Sequence, residues 1–140
     1  MATREELVAV AHQHAQAEGE GDMTTTLATL DDDCVYEFHP SRRVFRGKEM
    51  AERYYEHFFN NTAMTIESFD LLNEWVTDDG LGQEYVIHVK LADGSPRDFN
   101  IVGILTFGKE KLSGERLYAS DEFLELLVGP IYGETVPLEG

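Results

Sequence analysis

Basic residues are scarce in this chain. Eleven lysines and arginines stand against 27 aspartates and glutamates, a formal net charge of −16 over 140 residues. Phosphate binding needs a basic surface, so nucleic acid is excluded as an expected partner. An anionic membrane surface is excluded for the same reason. Cysteine is nearly absent. The lone Cys34 cannot close an internal disulfide, which fits a reducing, cytoplasmic compartment. No apolar run approaches the roughly 20 residues that cross a bilayer. The opening MATREELVAV has neither a basic leader nor a long apolar core, so a cytoplasmic location is the expectation. The phosphate-cradling, Cys-x-x-Cys, His-Glu-x-x-His and Gly-x-Ser-x-Gly patterns are also missing. The expectation is therefore no cofactor and no metal.

What is present suits one globular domain. Hydrophobic residues make up 42%, and a chain of this length buries roughly two thirds of its unfolded surface without a disulfide or metal staple. The domain is expected over residues 1–128, with residues 129–140 as an extended or disordered tail.

Thr3 is the expected N-cap of a first helix, with Glu5 and Glu6 in its first turn. Gly19 and Gly21 stop it, and Asp22 caps a second helix through Leu30. Cys34–His39 alternates as a strand ended by Pro40. Gly47 then opens an amphipathic helix with Met50, Ala51, Tyr54, Tyr55 and Phe58 on its apolar side. Strands follow over 66–77, 83–91, 98–107 and 112–119, separated by Asp-Asp-Gly and Asp-Gly-Ser-Pro turns. A last helix runs from Glu122 to about Val128. Helices segregated against a mostly antiparallel sheet define an α+β class.

Three segments carry a family resemblance. They are the Glu18–Met23 turn that ends the first helix, the DDDCVYEFHP strand, and the FRGKEMAERYYEHF helix entry. Together with the hairpins and GERLYASDEFLELL, they resemble the nuclear transport factor 2-like superfamily, in its SnoaL-like and ketosteroid-isomerase-like branch. The likeness covers about residues 3–128. It implies a cone, with a curved sheet wrapped around helices, a pocket at the wide end and frequent dimerisation through the outer sheet face. A homodimer holding a small hydrophobic molecule is the resulting expectation. The branch contains isomerases, cyclases, dehydratases, lyases, epoxide hydrolases and non-catalytic binders.

By that resemblance His39 stands where ketosteroid isomerases keep their base, and His14 where they keep an oxyanion-binding tyrosine. The third component, a late-strand acid, falls near Val102 or Gly103 and has no counterpart. Tyr36 matches the water-holding tyrosine of limonene-type epoxide hydrolases, but Phe38 and Leu117 replace their other polar groups, so epoxide hydrolysis ranks below proton transfer. Strict alternation turns His39 away from the face of Tyr36 unless the strand is distorted at Pro40.

The catalytic candidates are therefore His39, His88, Tyr36 and His14. A histidine accepts a proton near neutrality with little tuning. His88 shares a strand face with Glu84, Val86 and Lys90, opposite Tyr85, Ile87, Val89 and Leu91. The substrate-binding candidates are Glu84, Phe38, Asn73 and Trp75, the last two sharing a face with Phe69 and Leu71 under strict alternation. Glu115, on a face with Leu117, is a further acid. Arg42, Arg43 and Arg46 form a local basic spot. The reading is a cofactor-independent acid–base enzyme of isomerase, lyase or dehydratase type, acting on a small cyclic or aromatic molecule. The alternative is a non-catalytic binding or dimerisation module.

Overall fold

The computed structural model describes residues 1–139; Gly140, the end of the expected tail, lies outside the described residues. Helix α1 (Arg4–Glu20) begins on a capping box: Thr3 accepts from the Glu6 N–H, and the Glu6 side chain accepts from the Thr3 N–H. It ends on Gly21 in the left-handed conformation. Asp22 then accepts from the Thr25 N–H and starts α2 (Met23–Ala28). This short turn brings Thr29 back beside α1.

Strand β1 (Leu30–His39) is longer than expected, because Asp31–Asp33 continue it backwards. Arg43–Arg46, which includes two residues of the local basic spot, forms strand β2. Helix α3 (Lys48–His57) buries Ala51, Tyr54 and Tyr55 and continues through a π turn at Phe58–Thr62. Strands β3 (Ile66–Val76), β4 (Gly80–Lys90), β5 (Pro96–Phe107) and β6 (Leu112–Tyr118) follow, then helix α4 (Asp121–Val128). The tail is not loose where it is described. Gly129–Glu134 forms a 3-10 turn, and β7 (Val136–Pro137) pairs with β2.

The seven strands form one sheet in the order β3-β4-β5-β6-β1-β2-β7. Only the β1–β6 pair is parallel. The sheet curves around the helices without closing, as the α+β cone requires. Inward-facing Cys34, Tyr36, Phe38, Phe99, Ile101, Leu105 and Leu117 pack on Ala11, Tyr54, Tyr55, Phe123 and Leu124 to form the core. No helix among the described residues is long and apolar enough to cross a membrane.

Two irregularities set which residues face inward. Between Leu71 and Asn73 the β3–β4 register slips by one residue. Before this bulge, Phe69 and Leu71 sit opposite Ile87 and Tyr85 and face the helices. After it, the faces exchange: Asn73 sits opposite Glu84, and Trp75 lies over Gly82. On β6, Gly114 has φ +143°, and a Cβ there would stand 1.8 Å from the Val35 carbonyl oxygen. Only glycine lets β1 and β6 approach this closely, just before Glu115.

Candidate active site

A cavity of about 400 Å³ opens between α1, α3, α4 and the concave face of β3–β6. Its walls are mostly apolar, with Tyr54, Phe58, Ile66, Phe69, Leu105 and Phe123 prominent. At the β3 edge Phe69 and Leu71 are 63% and 48% exposed, so the cavity reaches solvent there. The polar groups in the wall are His14, Gln16, Glu18, Gln83, Tyr85 and Glu115.

His14 is fully buried on the inner face of α1. Its Nδ1 lies 2.7 Å from Thr29 Oγ1, and that hydroxyl donates its own proton to the Thr26 carbonyl at 2.7 Å. Thr29 therefore accepts from His14, and the ring carries its proton on Nδ1. The other nitrogen, Nε2, is 2.7 Å from Glu18 Oε2, one helical turn along. A contact that short holds one proton between nitrogen and oxygen.

Behind this pair runs a buried phenol chain. Tyr55 Oη is 3.1 Å from His14 Nε2 and 3.4 Å from Glu18 Oε2, and Tyr36 Oη is 2.7 Å from Tyr55 Oη. Burial raises both phenols well above their ordinary range, so both are neutral donors. Tyr36 donates to Tyr55, and Tyr55 donates toward Glu18.

Glu115 faces the same space from β6, beside Tyr36 on β1 and Leu105 on β5. The donor atoms of His14, Glu18 and Glu115 all lie within 4.8 Å of one another. Loss of water and then the charge of Glu18 push the Glu115 carboxyl well above the usual carboxylate range. Its neutral form is a proton donor facing the cavity. Tyr85 is likewise held neutral by burial, and its hydroxyl has no hydrogen-bond partner among the described residues.

The structure separates the sequence-derived candidates. His14 lines the cavity, and Tyr36 joins it through Tyr55. His39 does not: alternation along β1 holds, Tyr36 points inward, and His39 stacks on Tyr118 at 4.7 Å while contacting Glu37 at 3.3 Å. His88 also lies away from the cavity, bridging Asp98 at 2.7 Å and Asp70 at 2.9 Å across three strands. Phe38 packs in the core against Phe45 and Tyr132. Asn73 and Trp75 fall on the outer face because of the bulge at Leu72, and Glu84 lies on that face by alternation from the inward Tyr85. Among the basic residues, Arg43 is tied to Thr135 in the tail.

Glu18, Tyr55 and Tyr85 complete the site and are not among the candidates that the sequence singles out. Glu18 carried a readable signal, the i,i+4 spacing to an inward His14. Tyr85 looked like core because it sits among Ile87, Val89 and Leu91. Cys34 is no nucleophile here, since burial pushes its thiol up to about 11.

Solved structures share this architecture. An Anabaena variabilis protein described as NTF2-like aligns with TM-score 0.69 at 17% identity, covering 86% of this chain and 94% of its own. A Bacillus subtilis protein provisionally assigned as an isomerase gives TM-score 0.68 at 17% identity, with 92% and 96% covered. A Catenulispora acidiphila protein with a ketosteroid isomerase-like fold, solved in complex with trimethylamine, gives TM-score 0.63 at 15% identity, with 86% and 92% covered. No curated protein matches the chain. The SnoaL-like domain profile matches residues 11–114. With that match across most of its length, the chain belongs to the SnoaL-like family, and its curved sheet around helices is the NTF2-like fold.

Proposed function

We propose that this chain is an acid–base enzyme of isomerase, lyase or dehydratase type, acting on a small hydrophobic, cyclic or aromatic molecule held in the cavity. One observation carries the reading: His14, Glu18 and Glu115 meet at one wall of an otherwise apolar cavity. Burying ionisable groups is costly, and a cluster of them in a cleft with a strongly raised acid marks a functional site.

The roles follow from geometry. The His14–Glu18 pair takes a proton from a carbon next to a carbonyl or hydroxyl and returns it elsewhere. Thr29 fixes the imidazole so that Nε2 holds Glu18 Oε2, and the other oxygen of that carboxylate takes the substrate proton. The Tyr85 hydroxyl donates to the oxygen that gains charge. Neutral Glu115 holds a second polar group of the substrate. Tyr36 and Tyr55 orient Glu18 from behind and touch no substrate. The transfer needs no redox change, so the chemistry is complete with protein groups alone. A second copy of the chain against the outer face of β3–β6 completes the proposal as a homodimer, which light scattering tests.

The test is proton exchange in heavy water, with small cyclic ketones as probes followed by proton NMR. Loss of the α-proton signals faster than in buffer supports the reading. No exchange above buffer on any ketone, with or without a ring nitrogen, sinks it and favours a binding module.

A further inference from the structure

The cavity is one-sided in charge. Two acids, Glu18 and Glu115, line it, and no lysine or arginine does among the described residues. His14 is already committed to Glu18 at 2.7 Å. Glu115 makes no hydrogen bond and no ion pair with any described residue, although it faces the open space. The rings of Tyr54, Phe58, Phe69, Tyr85 and Phe123 line the same cavity.

Each class of ligand meets this wall differently. A carboxylate-bearing molecule would bring a second negative group beside Glu18 into a space with no lysine or arginine. A neutral molecule would gain burial and one hydrogen bond. An organic ammonium would gain a charge-assisted bond to Glu115 and the attraction of aromatic faces. We propose that the substrate is a small hydrophobic amine, its nitrogen seated between Glu115 and the aromatic wall.

This deepens the acid–base reading and rests on the same cavity. The proton balance is simple. An aliphatic amine enters as its ammonium ion, the Glu115 carboxyl gives its proton to solvent water, and a carboxylate–ammonium pair remains. If the free amine enters instead, Glu115 passes the same proton to the nitrogen.

The experiment is calorimetric titration of the full chain with benzylamine, benzyl alcohol and benzoate at neutral pH. Benzylamine is expected to bind at least about 10-fold more tightly than benzyl alcohol, as a charge-assisted hydrogen bond requires. Benzoate is expected not to bind. Heats in buffers of different ionisation enthalpy should report one proton released per benzylamine. Glu115→Gln should reduce benzylamine to the affinity of benzyl alcohol and leave the alcohol within about threefold. Glu67→Gln, a change on the exposed part of β3, should leave the preference intact and so exclude attraction to the acidic surface. Equal or tighter binding of the alcohol overturns the amine assignment while the acid–base reading stands. Amine preference that survives Glu115→Gln also overturns it. No binding by any of the three overturns both.

Discussion

His14 Nε2 lies 2.7 Å from Glu18 Oε2, while the opposite nitrogen of the same ring is held by Thr29. The imidazole is thus clamped between a fixed acceptor and an acid at the cavity wall. The clamp depends on the Gly21–Asp22 turn, which folds α2 back so that Thr29 reaches α1.

Thr29→Val keeps the side-chain shape and removes the acceptor. The buried Nδ1–H of His14 then has no partner. An expected loss of about 1–3 kcal/mol follows from an unsatisfied buried donor, read from urea unfolding. Proton-transfer activity should fall with it, because the tautomer is no longer imposed.

Glu115 sets a pH dependence. Its folded value is raised by burial and by Glu18, so folding retains a proton that the unfolded chain releases. Stability from this group is complete below the unfolded carboxylate value and is lost as pH rises through the raised value. Glu115→Gln should match the parent in acid and exceed it in alkali. Urea midpoints across pH check this.

His88 acts in the same direction from the outer face. Hydrogen bonds to Asp70 and then Asp98 raise it above the ordinary 6.5. Its stabilisation is full below that value and disappears as pH rises through the folded value. His88→Gln should therefore lower the urea midpoint below pH 6.5 and converge on the parent in alkali. Cavity binding should not change.

Much of this architecture was legible because it rests on local signals. The Thr3 cap, the glycine stop, the Asp-Gly turns and the 2-residue alternation on Cys34–His39 all act within a few residues. His14 is a candidate through the family resemblance, and it is buried in the cavity wall. The site as a whole was less legible. The bulge at Leu72 reverses Asn73 and Trp75, and no composition signal marks it. Glu115 becomes a cavity acid only because the parallel β1–β6 pairing sets it beside Tyr36, a contact across nearly 80 residues. His39 and His88 drew attention as histidines, yet each is satisfied by acids away from the cavity.

Gly103 offers a way to close the cavity. A Cβ there would meet Leu117 and Tyr85 at 3.4 and 3.9 Å, ordinary contact distances. Gly103→Leu should project into the cavity and abolish ligand binding. Stability should hold or rise, because a branched apolar side chain suits a strand better than glycine. Calorimetry and thermal unfolding on the same sample separate the two effects.

The central claim is that proton transfer belongs to the His14–Glu18 pair and not to the other histidines. Exchange of the α-protons of cyclohexanone and N-methylpiperidone in heavy water tests it most directly, using the parent, Glu18→Gln, His39→Gln and His88→Gln. The account predicts that Glu18→Gln slows exchange by about 100-fold or more, the usual contribution of a positioned acid or base. His39→Gln and His88→Gln should stay within about twofold of the parent. Exchange that survives Glu18→Gln and collapses in His39→Gln or His88→Gln would contradict it.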